Sequence, residues 1–233
     1  MEKETYIILR RSETMSLENL SAKGVLGPTP TPSEWTEAED STLTIETAEI
    51  DQIECQEIRH HPEVVDMAPA IPISLIEPIP LDSDDKPEDG DGVTWGLTVT
   101  GAHASPYSGK GITVAVLDTG IDSKHGAFSG IELVEKDFTG EGNGDVNGHG
   151  THVAGTIFGQ SENGIQYSVA PGIKRAMIGK VLGKKNNSTE QIFHAIQWAI
   201  DEGAKIINMS LGFDFPGHVK KLVGAGWPVE LAT

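Results

Sequence analysis

The pattern of apolar and polar positions is sharpest in the second half of the chain. Ile112–Leu117 (Ile-Thr-Val-Ala-Val-Leu) is a nearly unbroken apolar run of strand length, bounded by Gly109 and Gly111 before it and by Asp118-Thr-Gly after it. Such a run suits a parallel strand buried on both faces. Arg175–Val181 and Lys205–Met209 repeat the pattern. Between them lies a segment with helical period. Ile192, Phe193, Ala195, Ile196, Ala199 and Ile200 form its apolar face, Ser188 with Gln191 forms a capping box, and Gly203 supplies the stop. Strand, helix and strand joined by short connections imply a right-handed parallel crossover. The predicted class is α/β, with functional groups expected at the carboxyl ends of strands.

The first half is less regular. Tyr6–Leu9 and Thr42–Ile50 read as strands, and Ile53–His60 as a short helix ending before Pro62. Val64–Ile76 reads as extended, with Pro69 and Pro72 confining it to a sheet edge or a coil. Gly24–Ser41, rich in Pro, Thr and Glu, is expected to be loose. Residues 79–92 have almost no apolar content and read as an exposed acidic linker. The expected organisation is residues 1–78, a linker 79–92, and residues 93–233.

Charge sharpens that division. Of the net charge of -18, residues 1–92 carry 22 Asp and Glu against 6 Lys and Arg, whereas residues 93–233 carry 13 against 11. An acidic front repels nucleic acid and anionic membranes, so neither is an expected partner. No stretch reaches the roughly 18–20 apolar residues of a membrane span. The short run Tyr6–Leu9 follows acids and makes no signal-peptide core, so a cytoplasmic location is the default expectation. The single cysteine, Cys55, excludes an intrachain disulfide.

Candidate chemistry begins at Asp118, directly after the first buried run. A carboxylate there is costly to bury unless paired, and an imidazole N–H is a natural partner. Taken alone, Asp118 is better read as a loop or helix cap. The segment Asp145-Val-Asn-Gly-His149-Gly-Thr-His152-Val-Ala-Gly-Thr changes the balance, since it runs from a Gly-rich turn into an apolar helix. A helix start fixes the His149 backbone and disfavours the imidazolium, whereas a buried carboxylate restores basicity and selects the tautomer. Three other readings stand beside it. His149 and His152 are spaced as metal ligands, but no third ligand follows. Asp145-Val-Asn147 opens like a calcium loop that does not continue. His152 by itself reads as a core histidine. Ser108-Gly-Lys-Gly111 precedes its strand, which argues against a dinucleotide site.

Together these segments resemble the subtilisin-like serine proteases, the subtilases. Thr113–Asp122 is similar to the family's aspartate motif, Asp145–Thr156 to its histidine motif, and Lys205–Gly212 to its substrate-binding strand, in family order. The resemblance implies a partial doubly wound parallel sheet of subtilisin type. It implies that His149 is the general base, that Asp118 orients it, and that Ser210, Leu211 and Gly212 pair with an extended polypeptide substrate. More weakly, Tyr6–Leu9 and Glu57–Pro69 resemble parts of subtilase propeptides. Residues 1–78 are then a small α+β inhibitor-type domain and residues 79–92 the processing zone.

The chain also departs from the family. No Gly-Thr-Ser-x-Ala string is present to supply the nucleophile, and the oxyanion-hole Asn has no match. A partial, inactive protease is therefore expected, with a pseudo-protease or protease-binding module as the alternative. No cofactor is expected. The family's structural calcium falls at Gln160–Gln166, but Ala127 stands where an aspartate ligand is needed, with Glu162 the remaining candidate. Phe213–Gly217 departs from the usual glycine continuation, so substrate preference is not legible. A monomer is expected.

Overall fold

The computed structural model describes residues 3–12, 42–76, 92–184, 187–224 and 226. Gly24–Ser41 and, apart from Gly92, the linker 79–92 lie outside them. The chain divides into two compact units, Met1–Ala70 and Ile71–Thr233.

The first unit contains strands β1 (Glu4–Ser12) and β2 (Thr42–Ile50), helix α1 (Gln52–Arg59) and strand β3 (Val64–Pro69). Its sheet is antiparallel, in the order β2-β1-β3. Tyr6, Ile8, Ile50, Cys55 and Met67 are buried. Helix α1 starts where Asp51 accepts from Ile53 N and Glu54 N while Glu54 accepts from Asp51 N, a reciprocal cap. Burial, reinforced by Cys55, pushes the Tyr6 phenol well above its ordinary range.

The second unit opens with β4 (Ile73–Leu75), so the extended stretch foreseen over 64–76 is split between two sheets. Then follow α2 (Trp95–Thr100), β5 (Val114–Asp118), β6 (Glu132–Asp137), α3 (His149–Phe158), β7 (Arg175–Lys180), α4 (Thr189–Asp201), β8 (Ile206–Met209), β9 (Leu211–Phe213) and α5 (Phe215–Gly224). Its main sheet is parallel, in the order β6-β7-β5-β8.

All five residues of β5 are buried, and the two-residue period of a strand sends them to two cores. Val114 and Val116 pack with Ala154 and Phe158 of α3. Leu117 packs with Ile192 and Ala195 of α4, and Ala115 with Ala199. The two helices therefore cover opposite faces, which makes the expected α/β doubly wound layering.

One expectation about α4 needs correction, and one strand beside it was not foreseen. Phe193 and Ile200 are 43% and 57% exposed, outside the buried stripe. At about 100° per residue they sit roughly 80–100° around the helix from Ile192. Strand β6 was not foreseen because Glu-Leu-Val-Glu-Lys-Asp reads as charged surface. It is an edge strand, and only its β7 side is paired among the described residues.

Candidate active site

Strand β5 ends at Asp118, whose side chain is fully buried. Its Oδ1 accepts from the Thr119 backbone N–H at 2.7 Å. His149 Nδ1 lies 2.8 Å from Oδ1 and 3.0 Å from Oδ2. An ionised carboxylate only accepts, so this geometry calls for a donor at Nδ1, and a neutral ring with its proton there presents a lone pair at Nε2. The His149 side chain is 16% exposed, and Nε2 has no hydrogen-bond partner among the described residues. The two residues foreseen as a pair are thus brought together.

What holds the pair is an unusual start to α3. Its cap position is Gly148, which has no side chain to offer the first N–H groups. Three separate side chains satisfy them instead. Asn147 Oδ1 accepts from His149 N at 3.2 Å, Thr119 Oγ1 from Gly150 N at 2.9 Å, and Asp145 Oδ2 from Thr151 N at 2.9 Å. The cap of α3 is therefore partly built by the residue that follows Asp118.

Asp145 is the hub of this arrangement. Oδ1 accepts from the Thr119 hydroxyl at 2.9 Å, Asn147 N at 3.0 Å and Gly148 N at 2.8 Å. Oδ2 accepts from Thr151 N at 2.9 Å and from the Thr151 hydroxyl at 2.6 Å. The loop leading into it is pinned by the buried Lys180, which donates to the carbonyls of Gly142 at 3.2 Å and Gly144 at 3.3 Å. The roles of Asp145, Thr119 and Lys180 were not read from the sequence. The available signal was a carboxylate opening a segment whose helix start lacks a capping side chain.

Burial pushes the Asp145 carboxyl up, but hydrogen bonds from Thr151, Gly148 and Thr119 outweigh it and hold the group below its ordinary 3.8. A depressed folded-state value gives stability that is complete above the ordinary value and is lost as pH falls through the folded one. Urea midpoints are expected to drop as pH is lowered from 5 toward 2.5, and less so in Asp145→Asn. Parallel pH profiles for the two proteins would exclude Asp145 as a source of the drop.

Close backbone approach is the other constraint. A Cβ on Gly150 would lie 2.2 Å from the carbonyl oxygen of Gly120 and 3.2 Å from the Asp118 Cβ. Alanine within a helix normally gains about 1 kcal/mol over glycine. Here Gly150→Ala is expected to cost about 3 kcal/mol, because backbone rather than a flexible side chain must move. Denaturant unfolding checks the sign, and a stabilised variant would show that the approach is loose.

Leu211 and Gly212 lie beside the same unit's own chain, and Ser210, just before them, donates its hydroxyl to Asn208 Oδ1 at 3.1 Å. Strand β4 pairs antiparallel with β9, matching Ile73 to Phe213, Ser74 to Gly212 and Leu75 to Leu211. On its other side this segment meets the start of α4. Ile71 N donates to Thr189 Oγ1 at 3.0 Å, Thr189 N to the Ile71 carbonyl at 3.1 Å, and Ile73 N to the Asn187 carbonyl at 3.3 Å. Ile73 is buried with Leu182 and Ile192. Leu75 borders a cavity of about 420 Å³ that Thr119, Asn147 and Leu182 also line. A polypeptide segment is therefore held on both edges, close to the dyad.

Other candidates resolve differently. His152 is exposed, not a core histidine, because it lies on the outer face of α3. No group of three or more His, Cys, Asp or Glu suited to a metal occurs among the described residues. At the family's calcium position, Ala127 has no ligating side chain, and Gln160 Oε1 accepts from the Lys174 ammonium at 2.9 Å. Among the described residues no helix is long and apolar enough to cross a membrane.

Comparison with known proteins follows the same segments. The model of the subtilase family matches residues 109–226. A major intracellular serine protease of Bacillus subtilis (strain 168) is 44% identical over 117 residues, 47% of this chain and 36% of the relative. A subtilisin-like protease 6 of Arthroderma gypseum is 33% identical over 139 residues, 51% of this chain and 33% of the relative. The chain spans well under half the length of these curated relatives. Among solved structures, fervidolysin from Fervidobacterium pennivorans, a keratinolytic enzyme related to subtilisin, is similar with a TM-score of 0.59 and 21% identity, over 90% of this chain and 36% of that one. That likeness is one of fold.

Proposed function

Because the chain belongs to the subtilase family, we propose that it carries the general base and the orienting carboxylate of a serine endopeptidase, His149 and Asp118, and lacks the nucleophile within its 233 residues. The observation that carries this reading is the buried Asp118 carboxylate held 2.8 Å from His149 Nδ1, with Nε2 left as the proton acceptor. In the reaction, Nε2 takes the proton of an attacking hydroxyl and returns it to the leaving amine. Asp118 stabilises the imidazolium between those steps.

The substrate of this reading is an extended polypeptide. Ser210, Leu211 and Gly212 bind it by main-chain pairing, as Leu211 and Gly212 already pair with Leu75 and Ser74. Residues 1–78 act as an inhibitor-type propeptide, residues 79–92 as the linker where processing falls, and residues 93–233 as the first part of the catalytic domain. The seating of Ile71–Leu75 between β9 and the start of α4 supports an occupant that blocks the track until it is removed. The reading requires no cofactor.

The test is the coding sequence after Thr233. An in-frame Gly-Thr-Ser motif is expected there. A stop codon directly after Thr233 would favour the other reading, a protease-like binding module without turnover.

A further inference from the structure

We propose that Asp145 is a positioning residue, which sets the separation of Asp118 and His149 by tying the end of β5 to the first turn of α3. The proposal rests on Asp118 and His149 forming the working pair.

Asp118 and His149 sit on elements 31 residues apart in sequence, yet their hydrogen bonds of 2.8 and 3.0 Å leave little tolerance. The links between those elements converge on one carboxylate. Asp145 Oδ1 holds the Thr119 hydroxyl, and that same oxygen of Thr119 accepts from Gly150 N. Asp145 Oδ2 holds both the backbone and the hydroxyl of Thr151, and Thr151 Oγ1 accepts from Asp122 N at 2.9 Å. Thr119, next to Asp118, and Asn147, Gly148 and Thr151, on both sides of His149, are thus fixed to one group. Gly148 cannot cap α3, so without Asp145 the N–H of Thr151 loses its acceptor. The hydroxyl of Thr119 loses its anchor at the same time.

Charge adds to geometry. A helix N-terminus disfavours the imidazolium form of a histidine in its first turn. Asp145 places a carboxylate at that terminus, on the N–H groups of Gly148 and Thr151, and has no hydrogen bond to the His149 ring.

Asparagine tests this with nearly unchanged shape. In Asp145→Asn one oxygen becomes an NH₂ group, which cannot accept from Thr151 N. The readout is ¹H–¹⁵N NMR of the His149 ring in the 233-residue chain, followed through a pH titration. The His149 titration midpoint is expected to fall by about one unit, and the low-field Nδ1 proton to broaden. Thr151→Ser keeps both hydrogen bonds and is expected to retain the wild-type midpoint, whereas Thr151→Val is expected to lower it.

A His149 titration in Asp145→Asn that superimposes on wild type, with only the melting temperature reduced, would overturn the proposal and leave Asp145 a merely structural group. If Asp145→Asn does not fold, Thr151→Val against Thr151→Ser decides the matter by the same criterion. None of these readouts needs turnover, so failure of the proteolytic reading would show as absent peptidase activity in a nucleophile-bearing protein and leave the His149 comparison standing.

Discussion

A serine-directed fluorophosphonate is expected to leave the 233-residue chain unlabelled, and its peptidase turnover is expected to lie about 10⁶-fold below that of an intact triad. The physical reason is that His149, proposed as the base, has no nucleophile hydroxyl to activate. Nε2 has no hydrogen-bond partner among the described residues. The Gly-Thr-Ser-x-Ala string is absent from the sequence, as is a match to the oxyanion Asn, whose loss alone costs on the order of 10²–10³. Orientation and basicity cannot compensate, since the base only assists a bond that another atom must form. Intact-mass measurement after probe treatment is decisive. One probe per chain, lost in His149→Ala, would mean that one of the serines present acts as nucleophile.

The second large effect concerns Asp118 in a protein extended through its nucleophile. Asp118→Asn is expected to lower kcat by about 10⁴-fold with little change in KM. Oδ1 of Asp118 accepts from Thr119 N at 2.7 Å, so an asparagine that keeps its oxygen there places its NH₂ at the Oδ2 position, 3.0 Å from His149 Nδ1, where two N–H groups cannot face each other. That NH₂ donates to Nδ1, the proton moves to Nε2, and the face that should accept from the nucleophile now carries a hydrogen. The same change is visible without turnover, as a switch of the His149 tautomer in ¹⁵N NMR. A kcat within tenfold of wild type, or an unchanged tautomer, would show that Asp118 is an anchor for the loop and not the orienter of the base.

Local rules sufficed for several parts of this protein. The continuous apolar run before Asp118 announced a strand buried on both faces, and all of Val114–Asp118 is buried. The Ser188–Gln191 box and Gly203 marked the ends of α4, because a cap is satisfied within a few residues of itself. Asp118 and His149 were legible because each stands at the end of an element with an unmistakable pattern. Other features depended on partners far along the chain. The charged edge strand β6 takes its conformation from β7. Phe193 and Ile200 look like part of an apolar face until the sheet shows which stripe of α4 it covers. Ile73–Leu75 becomes a strand only because β9 and the start of α4 offer it hydrogen bonds on both edges.

Asp145 belongs with this second group. Read along the chain it opens a calcium-like loop, and in space it binds Thr119, 26 residues before it. The sequence by itself determined the family motifs, the parallel strands and the positions of Asp118 and His149 at the ends of their elements, since those follow from short-range pattern. Only the tertiary structure decided how His149 is held against Asp118, because α3 has a glycine where its cap should be and takes its acceptors from neighbouring elements.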